Sequence, residues 1–299
     1  MQSNPEISII ICTYNRDKFI PGALNSLVNQ TIAPSRYEII IINNNSTDNT
    51  DAISKNFISA NPGLNIKYFI ETQKGLSAAR NRGINESASE LIIFIDDDAD
   101  VTPNYLEIAL SFFKNNPDIS AFGGKIIPIY EEGREPQWLS KPLWGLVTRA
   151  DWGSKVSIYP KGKRPYGCSM AFRKKVFKEI GSFNSDLLFR SEDKYIFTRL
   201  AEYNKIFLYN PEFIVYHHID SSRLTFESFK KMSLGIGRGE HDRLIGSGFL
   251  KNILKVVEYI VKFLASFVIA SVFLIKLEFK KAEYLIRNRW YVLIGYFIK

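Results

Sequence analysis

Cysteine is scarce. Cys12 and Cys168 are the only two in 299 residues, and each lies beside apolar neighbours. Such usage excludes a disulfide framework and points to reduced, buried thiols and a cytosolic catalytic part. The start, Met-Gln-Ser-Asn-Pro-Glu, lacks a basic n-region and a long apolar h-region, so no secretory signal is expected. No Gly-x-Gly-x-x-Gly follows a strand-like run, which disfavours a dinucleotide-dependent dehydrogenase. The turn Thr13-Tyr14-Asn15-Arg16 has no glycine, against the phosphate loop of a sugar-phosphate nucleotidyltransferase. Gly235-Ile236-Gly237-Arg238-Gly239 imitates a nucleotide loop, but no buried strand precedes it. Internal repeats and low-complexity tracts are absent.

What is present is ordinary in bulk and uneven in charge. A hydrophobic share of 45% and a charged share of 23% fit a folded chain, not a disordered one. From 226 to 299 there are 13 Lys+Arg against 6 Asp+Glu, which leaves 26 against 25 before it. The last quarter therefore carries +7 of the net +8. A basic segment of this kind can meet nucleic acid or anionic lipid, and its sequence favours lipid, with no nucleic acid partner. Lys251, Lys255, Glu258 and Lys262 recur at helical spacing, and an uncharged apolar run, 263–275, follows. Thirteen residues are short for a bilayer crossing and suit a buried or interfacial helix, while tilting with Lys262 and Lys276 snorkelling could stretch the run across. A second stretch, 282–297, mixes Arg287 and Arg289 with Trp290, Tyr291 and Tyr296, a blend suited to the headgroup layer.

The first half alternates strand and helix patterns. Apolar runs at 7–12, 39–42, 66–70 and 91–95 read as strands, and 76–88 reads as a helix. This alternation predicts an α/β fold with a mostly parallel sheet flanked by helices. Ligands of such sheets gather beyond the carboxyl ends of the strands. The stretch 128–165 loses periodicity and holds Trp138, Trp144 and Trp152 with Lys161, Lys163 and Arg164, as a lid or binding loop would. Further on, 172–180 and a segment to about 203 read as helices, and 213–216 as a strand.

Phe94-Ile95-Asp96-Asp97-Asp98-Ala99-Asp100 is the strongest chemical signal. Adjacent carboxylates after a buried strand repel one another unless a cation neutralises them. Mg2+ or Mn2+ takes oxygen ligands and bridges carboxylates to phosphates. Thr102-Pro103 already provides a cap for the next helix, so the acids are not needed for that. His217-His218 closes a strand, where a neutral imidazole can join Asp98 on the ion. Glu192-Asp193 opens a helix, where a carboxylate can take the proton of an acceptor hydroxyl. Arg80, among the small residues of Gly75 to Gly83, can pair with a diphosphate. Asn15, Arg16 and Asn43 can bond a base or ribose.

Taken in order, Ile9 to Arg16, Ile42 to Asp48, Gly75 to Gly83, Phe94 to Asp98, Gly167 to Arg173, Ile180 to Phe183, Glu192-Asp193 and Pro211 to His217 resemble the family 2 glycosyltransferases. The resemblance covers about 7–218 and implies a GT-A fold. It implies a nucleotide-sugar site at Thr13, Tyr14, Asn15, Arg16, Asn43, Asn45, Arg80, Asp96 and Asp97. Asp96 and Asp98 would form the DxD motif, with Asp98 and His217 on the metal, Mn2+ or Mg2+. Asp96 would face the ribose or a metal water. Asp193 would be the general base of an inverting transfer to a glycan or lipid-linked acceptor. Two departures stand out: Asn43 replaces the usual aspartate against the base, and Ser191 a glycine before Glu-Asp. The implied layout is a catalytic domain over 1–225, with its nucleotide-sugar half about 1–100 and its acceptor half about 101–225. A basic helical tail over 226–299 would rest on the cytoplasmic face of the cell membrane, like the membrane-associated bacterial members. The alternatives are a sugar-phosphate nucleotidyltransferase and a membrane-bound binding protein with a degenerate site. Retention of Asp96, Asp98, Asp193 and His217 speaks against the second.

Overall fold

The computed structural model describes residues 4–186 and 192–298. Strands and helices alternate as β1 (Ile7–Thr13), α1 (Ile20–Val28), β2 (Tyr37–Asn43), α2 (Thr50–Ala60), β3 (Ile66–Ile70), α3 (Leu76–Glu86) and β4 (Leu91–Asp96). Then come β5 (Ala99–Val101), α4 (Tyr105–Asn115), β6 (Ile119–Tyr130), β7 (Ser157–Ile158), β8 (Met170–Arg173), α5 (Val176–Ile180), α6 (Glu192–Glu202) and β9 (Ile206–Ile219). Helices α7 (Phe226–Leu244), α8 (Phe249–Ile275) and α9 (Phe279–Gly295) follow. The strands form one sheet in the order β3-β2-β1-β4-β8-β6-β9-β5, with β7 on β9. The four strands from β3 to β4 are parallel. Beyond β4, β8 runs antiparallel to β4 and β6, and β9 antiparallel to β5 and β7, so the parallel character belongs to the isoleucine-rich half.

Burial on both faces explains the unbroken apolar runs. Ile9 and Ile11 join a core with Leu24, Leu27, Tyr105 and Phe113, from α1 and α4. Ile10, pointing the other way, joins Ala79, Phe177 and Phe197 from α3, α5 and α6. Fully burying each such side chain contributes about 1.5–3 kcal/mol before entropy is counted. A single carboxylate, Glu38, stands in this wall at 0% exposure. Its Oε1 accepts from Ser8 Oγ at 2.5 Å and Ala88 N at 2.7 Å, and its Oε2 is ion-paired with Lys67 Nζ, 2.7 Å away. A buried carboxylate persists only with such partners. In the sheet register Thr13 lies opposite Asn43, and Cys12 opposite Asp96. Three strand ends are thus level, and the polar loops leave from one edge.

Several local expectations are corrected. Residues 172–180 are not one helix: the first two belong to β8, Met170–Arg173, with Phe172 opposite both Ile92 and Ala121. A short apolar run has no period of its own, and tertiary pairing decides it. Helix α4 begins at Tyr105, whose N–H donates to the Thr102 carbonyl at 3.0 Å, so a turn precedes it in place of a Thr102 side-chain cap. The tryptophan-rich stretch is divided between two compact units. Its first part, Pro128–Arg149, belongs with the chain from Ile219 onward. There Trp138 is buried, stacked 5.4 Å from Tyr284 and edge-on to Phe229 at 5.5 Å. Trp152 packs against the core of the other unit, with Lys163 Nζ 5.0 Å from its ring centre. Trp138 is therefore a packing residue, not the exposed wall of a lid.

Within the second unit α9 meets α7 through a buried bond from Asn288 Nδ2 to Ser233 Oγ, 2.9 Å. Tyr296 OH, just after α9, donates to Asn252 of α8 at 2.6 Å. The false nucleotide loop lies inside α7 and has a packing purpose. A Cβ on Gly237 would fall 2.1 Å from the Val292 carbonyl oxygen, and one on Gly295 2.1 Å from that of Leu234. Backbone meets backbone here, which nothing larger than glycine permits. Gly237→Leu is expected to cost about 3 kcal/mol or more through overpacking. Gly235→Ala, at a site with open space, should be neutral or slightly stabilising. Melting temperatures of the two variants check the contrast. Among the described residues α8 is the one helix long and apolar enough to cross a membrane.

Candidate active site

The level strand ends carry a woven set of loops. After β1, Asn15 takes a left-handed conformation, φ 53°. Its N–H donates to Ser46 Oγ at 3.0 Å, and its Oδ1 accepts from Thr47 N at 2.8 Å. The next amides continue the seam: Arg16 N donates to Thr50 Oγ1 at 2.9 Å and Asp17 N to Asp48 Oδ2 at 3.1 Å. Asn43, ending β2, accepts from Ser46 N at 2.8 Å and donates to Tyr68 OH at 2.7 Å. Tyr68 OH in turn donates to Asp51 Oδ1 at 2.5 Å. This anchoring fixes the carboxamide plane. Tyr14 is 54% exposed, and Asn45, also left-handed at φ 61°, is exposed.

Asn44 was absent from the sequence-derived site, yet it does most to hold these loops together. Its N–H donates to the Thr13 carbonyl, and its Nδ2 to the carbonyls of Glu71 and Gln73 at 2.9 and 2.7 Å. Its Oδ1 accepts from Gly75 N at 2.8 Å. One buried side chain thus ties the end of β2 to the entrance of α3. The only signal in the sequence was three consecutive asparagines, which turn formation explains equally well.

At the end of β4, Asp97 and Asp98 are buried at 7% and 5% exposure, and Asp96 is half-buried. His217 comes from β9, where it faces Ala99 in the register, and is 2% exposed. His217 Nε2 lies 3.1 Å from Asp98 Oδ1. Asp96, Asp98 and His217 each bring a ligand atom within 4.8 Å of the others. An ion with bonds of about 2.1 Å accepts ligand atoms roughly 3 to 4.2 Å apart, so a small closure would suffice. Two hard carboxylates and an imidazole suit Mn2+ or Mg2+. The residues fit a divalent cation.

Protein cations also contribute, which the acid run alone did not reveal. Arg16 sets Nε 3.5 Å from Asp97 and Nη2 3.6 Å from Asp98. Arg80 is 1% exposed, with Nη2 3.5 Å from Asp96 Oδ1 and the rings of Phe94 and Phe183 at 5.9 and 5.4 Å. Arg80 therefore stands behind Asp96, where it can hold that carboxylate in place. Burial, and next the neighbouring Asp98 charge, push Asp97 up to about 7, while the Thr13 hydroxyl and Arg16 act the other way. Burial also pushes the Cys12 thiol up to about 12, so it stays protonated. Both cysteines are free.

Asp193 stands in the first turn of α6, with its carboxylate 3.6 Å from Arg164 Nη2 and accepting from Lys194 N at 2.5 Å. Arg164, noted only as part of a basic group, is its charge partner. Ser191 lies outside the described residues. Asn81 bridges both backbone groups of Phe183, at 2.8 and 2.9 Å, and so fixes α3 to the turn after α5. Asp100 and His218 form a second acid–imidazole pair, 2.7 Å apart.

Comparison with known proteins adds the lineage. Residues 8–181 match the family described as Glycosyl transferase family 2. The glucosyl-dolichyl phosphate glucuronosyltransferase of Haloferax volcanii is 24% identical over 193 residues, 64% of this chain and 59% of that protein. Glycosyltransferase AglE of the same organism is 33% identical over 189 residues, 62% of this chain and 58% of that one. The chain thus matches less than two thirds of the length of either relative. Among solved structures, mannosyltransferase PcManGT from Pyrobaculum calidifontis, in complex with GDP-Man and Mn2+, has a TM-score of 0.63 at 15% identity. That likeness covers 96% of this chain and 86% of that one. S. aureus TarS 1-349 in complex with UDP-GlcNAc has a TM-score of 0.54 at 18% identity, over 77% and 66% of the two chains. At these identities the structural likeness speaks for the fold, and the match to more than half of the chain speaks for descent. The chain belongs to glycosyl transferase family 2 and has the GT-A fold.

Proposed function

We propose that this protein transfers a sugar from a nucleoside-diphosphate sugar to a glycan or lipid-linked acceptor, with inversion at the anomeric carbon and a divalent cation, Mn2+ or Mg2+, as cofactor. The observation that carries this reading is the convergence of Asp96, Asp98 and His217 beyond the level ends of β1, β2 and β4. Relatives named as glycosyltransferases and structural neighbours holding GDP-Man or UDP-GlcNAc support it.

Asp98 and His217 would hold the ion, with Asp96 toward the ribose or a metal water. Bound there, the cation would offset the charge developing on the leaving diphosphate. Thr13, Tyr14, Asn15, Arg16, Asn43, Asn45 and Asp97 are assigned to the nucleotide. Arg80 steadies Asp96 from behind and adds positive charge on the diphosphate side. Asp193 accepts the proton of the acceptor hydroxyl as its oxygen bonds to the anomeric carbon and the bond to the diphosphate breaks. Arg164 keeps that carboxylate oriented. The site of action is assigned to the cytoplasmic face of the membrane, with the apolar α8 and the basic charge of the tail as the contact.

A thermal-shift screen of nucleotide sugars with Mn2+ or Mg2+ tests the reading. One donor is expected to raise the melting temperature by about 3 °C or more with cation, since ligand at about a hundred times Kd adds roughly 2.7 kcal/mol. A flat response to every donor would refute it.

A further inference from the structure

The second unit holds an apolar surface that sugar transfer does not use. Helix α8 turns a narrow stripe inward, where Ser266 and Ala270 are buried and Phe263 meets Trp290 of α9 at 5.5 Å. Opposite that stripe runs an exposed apolar face, with Leu254, Val261, Leu264, Val268 and Ile275 each more than half accessible. At 1.5 Å per residue this face is roughly 40 Å long. Monomeric soluble proteins rarely leave such a continuous patch bare. It reaches into the charged half of the helix too, because Lys255 turns inward to Glu240, 3.3 Å away. Lys251 and Lys262 remain on the flanks, exposed, as fits an anionic surface.

An upright crossing conflicts with α9. The two helices form an antiparallel hairpin through 276–278, so α9 lies beside the uncharged run 263–275. That run covers about 20 Å of a hydrocarbon layer roughly 30 Å thick. Lys280, Lys281, Glu283, Arg287 and Arg289 would descend with it. Each charge at mid-bilayer disfavours insertion by on the order of a hundredfold. Arg287 pairs with Glu283 at 2.8 Å and lies 5.0 Å from the ring of Phe226, which puts this charge pair on the α7 side of α9. A helix lying flat keeps Arg287 and Glu283 in water.

Arg289 is an independent observation. It is half-buried on α9, on the side near Tyr259 of α8, and loss of hydration lowers its pKa. Among the described residues no carboxylate pairs with it and no hydrogen bond reaches it. A partly desolvated guanidinium without a counter-charge is a receptor for an anion.

We propose that α8 lies in the plane of one leaflet with its outward face among the acyl chains, and that Arg289 takes the phosphate of an anionic lipid at the α8–α9 seam. This deepens the membrane location proposed above and does not depend on the sugar chemistry.

Flotation of the full-length protein with phosphatidylcholine vesicles, with and without phosphatidylglycerol, tests it. Binding is expected to favour the anionic vesicles. Leu264→Glu with Val268→Glu should lower binding at least about tenfold, with helical content unchanged by circular dichroism. Arg289→Gln should lower binding to the anionic vesicles about fivefold and leave that to the neutral ones unchanged. Binding to neither vesicle, or full binding by the Glu variants, overturns the membrane contact. Undiminished binding by Arg289→Gln, or release by low millimolar inorganic phosphate, overturns the lipid phosphate site. For orientation, Leu277→Cys at the exposed hairpin turn is treated with an impermeant maleimide added outside the vesicles, with wild type as background. Complete labelling is expected. Protection until detergent is added would mean that α8 crosses, and the in-plane seating would be wrong even with binding intact.

Discussion

Asp98→Asn is expected to slow transfer by at least about 10^3-fold and to abolish cation-assisted donor binding, while the protein stays folded. Asparagine keeps the shape of the side chain, but the charge that grips the ion is gone. A loss of charge stabilisation worth about 4 kcal/mol in the transition state corresponds to this factor. Stability should move the other way. Asp98 is buried beside Asp97 and raises its pKa, so removing one of two like charges relieves repulsion in the cation-free protein. The variant should therefore melt at or above wild type without metal, and should lose the increment that Mn2+ gives wild type. Titration calorimetry with Mn2+ and donor, alongside a transfer assay, checks both halves. Cation-assisted binding equal to wild type would remove Asp98 from the site.

Asp193→Asn separates binding from chemistry. Donor and cation affinities should stay within about twofold, because Asp193 stands on α6 with Arg164, apart from the acid cluster's own contacts. Turnover should fall by roughly 10^2 to 10^4, the usual contribution of a positioned general base. The asparagine oxygen can still accept from the Lys194 amide, so the first turn of the helix keeps that bond. A purely structural role would give a lower melting temperature with turnover nearly intact. That outcome would hand the proton to another group.

The parallel half of the sheet was legible because burial on both faces writes itself as consecutive isoleucines. The acid run was legible because it follows such a strand, and His217 because it lies near the end of another. The antiparallel half was not. Phe172 has the composition of a buried helix as much as of a strand, and its partners Ile92 and Ala121 are distant in sequence. The arginines were legible as cations but not as partners of Asp96, Asp97 and Asp98, since helix facing and loop closure decide who meets whom. The tail was half legible. Its uncharged run, 263–275, was evident, yet α8 extends back to Phe249 because Lys255 and Glu258 are satisfied within the unit. Trp138 misled, because an aromatic side chain gives no sign of whether sugar or protein will cover it.

One imidazole has a temporal meaning. The aspartates leave the ribosome early, whereas His217 rides on β9, which must thread back and zip antiparallel to β5, placing His217 across from Ala99. A growing polypeptide short of that strand owns the acids without their nitrogen partner. By the reading proposed above, manganese would then be gripped in full only once the last strand has docked, and chelation would loosen that strand first. The ion would serve as a latch as well as a reagent, rewarding the most sequence-distant pairing in the sheet.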